Sequence, residues 1–222
     1  ALSTLYPNPV NPRFGTFVAR SLEALAKRGD WRVTLVNPIG LPPLALGRYR
    51  PLADLPEVSE EGGITVHRPR FTLIPRIGAR RNAAAIAAAV LPLARRLHAE
   101  TPVDVIDAQF FFPDGPAAAI IARALSKDTG GLPLSIKARG SDITYWGSRD
   151  FALEQMVDAA RRADGLLAVS QALASDMAAL GIPRDKITIH RTGLDRAVFR
   201  PLDRAEATMA GAACTTPFWL NS

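Results

Sequence analysis

The residues best suited to chemistry in this 222-residue chain directly follow its short apolar segments. Arg139, Gly140 and Asp142 lie in the motif ARGSD, immediately after the apolar segment 132–137. An arginine can grip a carboxylate or phosphate as a fork, a glycine brings the backbone close, and an acid can bind sugar hydroxyls. Asp142 can instead cap the following turn. The motif therefore indicates an anion or sugar site, with capping as the alternative.

A lone glycine is the second candidate for anion binding. Gly15 follows a loop rich in proline and asparagine, and precedes a segment in which Phe17, Val18, Leu22 and Leu25 recur at helical spacing. Backbone N–H groups and the positive end of a helix dipole favour an anion at such a place, and a glycine lets it approach the main chain. The alternative is that Gly15 only permits a turn.

Two further polar residues stand where a predicted strand gives way to a helix. Ser170 ends the apolar segment 165–169, and Asp114 precedes a helix that begins near Gly115. Either side chain can cap the helix that follows it. The loops after successive parallel strands converge on one edge of a sheet, so both residues also belong to the candidate cleft.

The elements that position these residues alternate between strand and helix. Predicted strands lie at the apolar run Leu2, Leu5 and Tyr6 and at residues 31–36, 64–67, 71–74, 103–107, 132–137, 165–169 and 186–190. Predicted helices lie between Gly15 and Gly29 and at residues 79–99, 113–125, 150–162 and 171–180. This order predicts a doubly wound, Rossmann-like α/β fold with a mainly parallel sheet and helices on both faces. Residues 38–62, rich in proline, are predicted to be a long connection.

Composition narrows the class of protein. The chain is 48% hydrophobic and 22% charged, as globular proteins are, and its net charge of +6 allows acidic partners. The single cysteine, Cys214, excludes an internal disulfide framework, and the three histidines lack ligand spacing, so we expect no metal site. No segment approaches the roughly 18 apolar residues of a membrane span. A cytoplasmic location is therefore expected.

The predicted helix at 79–99 carries arginine pairs at both ends. Arg80 and Arg81 open it, Arg95 and Arg96 lie near its end, and Arg76 precedes it. Its apolar middle is too short to cross a bilayer, but arginines flanking an apolar stripe can lie on an anionic membrane surface. The alternative is a helix that packs on the sheet with its arginines solvated. Peripheral contact with the inner face of the plasma membrane is therefore one expectation.

Five motifs in order resemble the N-terminal domain of a GT-B glycosyltransferase of family 4. LSTLYPNPVNPRFGTFV is similar to that family's first strand and glycine loop, DVIDAQFFFPDGPAAA to its D-V-hydrophobic-H-A-H segment, and KARGSDI to its H-G-x-D segment. AVSQAL and ITIHRTGLDRAVFRP are similar to its V-S strand end and its N-G-V-D-x-x-x-F-x-P exit. The resemblance makes residues 1–201 an acceptor-side domain and leaves 202–222 as a linker or truncated tail.

The resemblance implies a retaining enzyme that transfers a sugar from a nucleotide-sugar donor to a glycan or lipid-linked acceptor. It implies no metal or other cofactor and no nucleic-acid partner. Gly15 would face the donor diphosphate. Asp142, Thr192, Gly193 and Asp195 would line the cleft.

The resemblance also makes Arg139 and Asp142 the best catalytic candidates. The sequence departs from the family pattern, because Arg139 and Gln109 stand where many members carry histidines and Thr192 where asparagine is usual. No catalytic histidine is therefore carried over.

In the resembled family a second α/β domain holds most of the donor nucleotide. About twenty residues after Pro201 are too few for a βαβ unit of roughly 30 residues, so we expect the chain to be inactive alone. A non-catalytic sugar- or phosphate-binding module is the alternative. A dinucleotide-dependent oxidoreductase is disfavoured, because no G-x-G-x-x-G follows the first strand and the second ends in Asn37 instead of an acid.

Overall fold

Nine short strands and six helices are found in the part of the chain described by the computed structural model, which comprises residues 1–74, 78–129, 131–194 and 201. The strands are β1 (Thr34–Val36), β2 (Ile39–Leu41), β3 (Val58–Glu61), β4 (Ile64–His67), β5 (Arg70–Thr72), β6 (Ile106–Ala108), β7 (Leu134–Ala138), β8 (Gly165–Ala168) and β9 (Ile187–Ile189). The helices are α1 (Thr16–Lys27), α2 (Arg50–Ala53), α3 (Asn82–Glu100), α4 (Asp114–Thr129), α5 (Asp150–Arg162) and α6 (Gln171–Ala179).

The first residues of the chain lie in the middle of the main sheet. Leu2 forms parallel bridges with Val36 of β1 on one side and Ala108 of β6 on the other. The Leu2 N–H donates to the Asp107 carbonyl at 2.9 Å, and the Ser3 N–H donates to the Val36 carbonyl at 3.0 Å. The order across the sheet is therefore β3, β4, β1, the initial segment, β6, β7, β8 and β9, with β3 antiparallel to β4 and the other neighbours parallel.

Helices cover both faces of this sheet, as predicted. Leu35 of β1 packs with Val18 and Leu22 of α1, whereas the next residue, Val36, belongs to the larger core formed with α3, α4, α5 and α6. Successive residues of a strand point to opposite faces, so this change of core follows from the pleat. The doubly wound, mainly parallel α/β fold predicted from the sequence is confirmed.

The prediction that residues 38–62 are one long connection is wrong, and strands and helices do not strictly alternate between residues 38 and 74. This region contains β2, the single-turn helix α2, and the antiparallel hairpin of β3 and β4. Gly62 and Gly63, at φ of 57° and 83°, form the hairpin turn. Glycine adopts positive φ at little cost, which explains a turn there. β2 pairs with β5 in a separate parallel ribbon.

Residues Ala1–Thr192 form one compact unit, and a separate unit begins at Gly193. In the second unit the structure describes Gly193, Leu194 and Pro201, and all three are exposed. The predicted linker or tail at 202–222 and the predicted cleft residue Asp195 lie outside the described residues.

The apolar face of α3 is buried in the protein. Ala83, Ile86, Ala87 and Val90 lie in the large core, and Pro92 stands within the helix. The arginine pairs at 80–81 and 95–96 are separated by about 22 Å along the helix axis. In the described part of the chain no helix is long and apolar enough to cross a bilayer. Arg76 lies outside the described residues.

Peripheral membrane contact stays a prediction, and it must be mainly electrostatic because the α3 stripe is covered. We expect the protein to cosediment with anionic vesicles at low salt. This binding should disappear when added salt shortens the Debye length below about 10 Å, because the charges are then screened. Substitution of Arg80 and Arg81 by glutamine should reduce it. Equal partitioning to neutral and anionic vesicles would contradict it.

Gly15 is required where the first loop returns to the sheet. Its φ is 70°, and a Cβ built on it would lie 2.6 Å from the Leu5 carbonyl carbon and 2.8 Å from the Tyr6 nitrogen. Both are backbone atoms, which side-chain rearrangement cannot move aside. The glycine is therefore explained by the close approach of the helix start to the initial segment, as well as by the turn.

We expect Gly15→Ala to lower the free energy of unfolding more than Gly29→Ala. Gly29 has a similar φ of 79° but no atom within 4 Å of an added Cβ, so its substitution reports backbone strain alone, on the order of 1–2 kcal/mol. Gly15→Ala adds steric overlap with backbone. Urea unfolding of both variants and the parent measures the difference, and equal losses would show that the close approach at Gly15 has no energetic weight.

Candidate functional site

Three loops meet at the carboxyl edge of the sheet. They follow the initial segment, β6 and β7, and comprise residues 4–15, 109–113 and 139–141. Side chains from the neighbouring elements tie them together, as the contacts of Asp114, Asp142 and Arg139 show. Ligands of open α/β sheets bind at this edge, so it is the candidate site.

Asp142 joins the loop after β6 to the loop after β7. Its carboxylate accepts hydrogen bonds from the backbone N–H groups of Phe111 at 2.8 Å, Arg139 at 3.0 Å, Gly140 at 2.8 Å and Ile143 at 3.1 Å. The side chain is fully buried, and this burial raises the pKa of its carboxyl, while hydrogen bonds from the Phe111, Arg139 and Gly140 N–H groups act in the opposite direction. We expected a carboxylate facing the cleft; in this conformation it faces the backbone.

Asp114 ties the loop after the initial segment to α4. Its carboxylate accepts from the Thr4 backbone N–H at 3.0 Å and from the Thr4 hydroxyl at 2.7 Å. The predicted helix-capping role is not what its side chain does, since it binds a residue 110 positions earlier. Burial raises the pKa of the Asp114 carboxyl to about 7; the Thr4 hydrogen bonds lower it, and the nearby Asp142 raises it further.

Arg139 carries the positive charge of the site. Its Nε donates to the Gln109 carbonyl at 3.2 Å and its Nη2 to Gln109 Oε1 at 2.6 Å. The guanidinium carbon lies 4.9 Å from the ring centroid of Phe17, in the first turn of α1. Within the described residues Nη1 has no hydrogen-bond partner. The group is therefore held along one edge and one face, with its other edge available.

The first turn of α1 completes a positive surface next to Arg139. The backbone N–H groups of Gly15, Thr16 and Phe17 have no hydrogen-bond acceptor among residues 1–74, 78–129 and 131–194. Such N–H groups carry the positive end of the helix dipole. Because Arg139 stacks on Phe17, the guanidinium and the helix start are brought together, as an anion site requires.

The remaining predicted site residues have separate roles. Gly140, at φ 123°, donates its N–H to Asp142 Oδ1 and so belongs to the buried junction. Ser170 caps α6, accepting from the Leu173 N–H at 3.1 Å, which confirms the capping alternative. Thr192 is exposed after β9, and Gly193 begins the second unit.

Sequence reasoning missed the polar residues behind Arg139. Ser135 and Lys137 of β7 and Arg139 just after it occupy alternate positions, opposite to the buried Ile136 and Ala138. Asp107 of β6 and Gln109 just after it follow the same alternation. The Asp107 carboxylate accepts from Ser135 Oγ and from Gln109 Nε2. Parallel strands are usually apolar on both faces, so polar residues at every second position were the available signal.

The aromatic residues near the site are mostly structural. Phe110, Phe111 and Phe112 are buried, and the Trp146 ring packs on Phe112 with centroids 4.8 Å apart. Tyr145 is 54% exposed, with the Arg149 guanidinium 3.6 Å from its ring centroid. Core packing therefore explains the phenylalanines, while Tyr145 presents a ring face to solvent.

A cavity of about 860 Å³ lies at the opposite edge of the sheet. Its lining includes Ala1, Trp31 and Val103, near the beginnings of β1 and β6. The Ala1 ammonium donates to the Thr34 carbonyl at 2.7 Å, and burial lowers the pKa of this ammonium. None of the three loops of the candidate site lines this cavity, so its size does not make it the site.

We expect Asp114→Asn to flatten the dependence of stability on pH. The folded pKa of about 7 lies above the ordinary 3.8, so the protonated carboxyl contributes stability that is present below pH 4 and is lost as pH rises through 7. An asparagine can keep both Thr4 contacts without titrating. Between pH 5 and 8 the parent should lose on the order of 2 kcal/mol more than the variant.

Urea unfolding at both pH values measures this difference. Asp142, whose pKa is also raised, gives a slope of the same sign in both proteins. Asp176→Asn, on the exposed side of α6, is the matched control and should keep the parent's slope. Parallel slopes for the parent and Asp114→Asn would contradict the assignment.

The solved structures that this chain resembles include glycosyltransferases. A sucrose-phosphate synthase from Thermosynechococcus elongatus superimposes with a TM-score of 0.60 at 15% identity, covering 88% of this chain and 46% of that one. HepE from Anabaena, in complex with UDP and glucose, superimposes with a TM-score of 0.56 at 16% identity, covering 96% of this chain and 49% of HepE. The chain thus spans about half the length of the structures it matches. At these identities the likeness establishes the fold.

The family comparison uses the sequence itself. The family model described as Glycosyltransferase Family 4 matches residues 14–198, which is most of the chain and includes the loops after β6 and β7. No curated protein sequence gives a significant match. Together with the fold, this match identifies the chain as a member of glycosyltransferase family 4.

Proposed function

We propose that the chain is the acceptor-side domain of a retaining glycosyltransferase, which moves a sugar from a nucleotide-sugar donor to a glycan or lipid-linked acceptor. The family match and the fold support a transferase of this kind. The observation that carries the proposal for the site is the placement of the Arg139 guanidinium against the first turn of α1.

The chemistry of sugar transfer from a nucleotide requires stabilisation of a leaving diphosphate. Positioned charges and dipoles do most of such work, because they are already oriented when the negative charge develops. Arg139 and the free N–H groups at residues 15–17 offer both on one surface. We assign the donor diphosphate to this surface, with Gly15 at its rim.

The buried carboxylates take a supporting part in this proposal. Asp142 and Asp114 hold the three loops and do not reach solvent. Arg139 remains a cation at any physiological pH and so cannot act as a general base. It is best suited to charge stabilisation, and Asp142 acts through the backbone it binds.

The neighbours suggest a donor class. HepE has been solved with UDP, with UDP-glucose, and with UDP and glucose together. A uridine diphosphate sugar is therefore the first donor to test, and other nucleotide sugars follow. Acceptor side and donor side would be divided between this domain and a second one.

We expect weak but specific binding of UDP-glucose that depends on Arg139. A titration followed by ¹H–¹⁵N NMR should shift residues 15–17 and 139–140, with a dissociation constant near 1 mM, or about −4 kcal/mol. Arg139→Gln removes a charge-assisted contact of about 1.5 kcal/mol or more and should weaken binding at least tenfold. Arg123→Gln, which removes an exposed charge from α4, is the matched control and should bind as the parent does.

The shifted residues decide between the proposals. Shifts confined to other parts of the surface would contradict the site, and binding of free glucose as tight as that of UDP-glucose would favour a sugar-binding module. The same protein assayed for transfer or donor hydrolysis should show no turnover, because one wall of a cleft leaves the diphosphate largely in water, where each contact is weak. Robust turnover would contradict the proposal that donor binding is divided between this domain and a second one.

A further inference from the structure

The orientation of the Arg139 guanidinium is set by a chain of partly buried polar groups that the proposed chemistry does not itself use. Gln109 binds Arg139 twice, through its side-chain oxygen at 2.6 Å and its backbone carbonyl at 3.2 Å. Gln109 is 1% exposed, so neither contact is exchanged with water in this conformation. The position of the guanidinium therefore depends on a single residue, Gln109, and the contact of its Nη2 depends on the Gln109 side-chain amide.

The Gln109 amide is in turn fixed by Asp107. Gln109 Nε2 donates to Asp107 Oδ2, and Ser135 Oγ donates to the other carboxylate oxygen, Oδ1. A carboxylate accepts and a guanidinium only donates, so the amide can satisfy both neighbours in a single orientation, with nitrogen towards Asp107 and oxygen towards Arg139. A flipped amide would face a donor with a donor.

The surroundings raise the energetic importance of this orientation. Lys137 projects between Ser135 and Arg139 on the same strand face and is 4% exposed, and burial lowers the pKa of its ammonium while Asp107 opposes that change. Hydrogen bonds among groups shielded from water in this way are strengthened, and the loss of one leaves a shielded polar group without a partner. Asp107 is thus the only carboxylate described that accepts from this network on the β6–β7 face.

We propose that Asp107 is a positioning residue, which acts through Gln109 to hold Arg139 at the start of α1 with Nη1 directed to an oxyanion of the substrate. The inference rests on the proposed function for the ligand, but the positioning itself is a property of the free protein. It makes residues 107 and 109 determinants of anion binding although neither is placed in contact with the ligand.

Substitution of Asp107 by asparagine separates positioning from charge. The change removes a negative charge near the site, which by simple electrostatics should tighten anion binding. If Asp107 positions Arg139, the binding should weaken instead, because an asparagine no longer enforces one orientation of the Gln109 amide. Asp104→Asn, three residues earlier and exposed, removes the same charge without touching the network and is the matched control.

A double variant tests the direction of the hydrogen bonds. In Asp107→Asn/Gln109→Glu the carboxylate moves to position 109, where it accepts from Arg139, and the asparagine amide donates to it while its oxygen accepts from Ser135. The net charge equals that of the parent. The double variant should therefore restore the orientation of Arg139 that each single variant disturbs.

Two measurements read the outcome. The first is the ¹⁵N-detected Nε–H signal of Arg139 in the ligand-free protein, assigned by its loss in Arg139→Lys. It should shift or broaden in Asp107→Asn, return in the double variant, and stay unchanged in Asp104→Asn. The second is the affinity for inorganic pyrophosphate, expected to fall about three- to tenfold in Asp107→Asn, as for loss of one hydrogen bond.

The two proposals fail in distinguishable ways. An unaltered Nε–H signal in Asp107→Asn, or affinity that rises as in Asp104→Asn, would overturn the positioning role. Absence of pyrophosphate binding by the parent, with the signal responding as expected, would overturn the proposed function and leave positioning intact. If Asp107→Asn does not fold, Ser135→Ala removes one hydrogen bond to Asp107 without a charge change and should move the same signal by a smaller amount.

Discussion

The Asp142 carboxylate is the constraint on which the candidate site depends. It accepts four backbone N–H groups from the loops after β6 and β7 and has no contact with solvent. A buried carboxylate is tolerated only when such donors replace water, so these loops cannot separate without exposing an unpaired charge. Because Arg139 and Gly140 both donate to it, the charged end of β7 is fixed relative to Phe111 on the neighbouring loop.

A second buried acid extends the constraint to the start of the chain. Asp114 binds Thr4, and Gly15 lets the loop that follows Thr4 return against Leu5 and Tyr6. The start of α1 is thereby placed beside Arg139. Gly15 permits the close approach of the two backbone segments, and the buried carboxylates of Asp114 and Asp142 hold the loops in place. The cationic surface is a product of both.

The sequence predicts the fold well because the signal for it is repeated. Short apolar strands between helical segments recur along the chain. The main error in the predicted fold falls in residues 38–74, where the short strands of the β2–β5 and β3–β4 pairs leave no periodic pattern in the sequence. The motif ARGSD was correctly placed at a strand end, but the direction of Asp142 was not predictable. Whether an acid after a strand faces solvent or the neighbouring loop depends on Phe111, which is 31 residues away.

Two of the three positions that depart from the family pattern, Gln109 and Arg139, are in direct contact. A guanidinium offers only donors and a carbonyl oxygen only accepts, so these residue types are complementary as a pair. In the sequence each departure stands alone, as the loss of a histidine that could take part in catalysis. Their contact explains the pair physically: replacement of one without the other would leave a buried hydrogen-bonding group unsatisfied.

The central place of the initial segment has a consequence for how the protein forms. Leu2 pairs with Val36 and with Ala108, and Thr4 binds Asp114, so the middle of the sheet is closed by contacts that span more than a hundred residues. Contacts of such long range form only after a large loop has been ordered, and the entropy cost of closing that loop slows folding. During synthesis the first residues must wait until α4 has left the ribosome, and until then the edges of β1 and β6 remain unpaired and open to association with other chains.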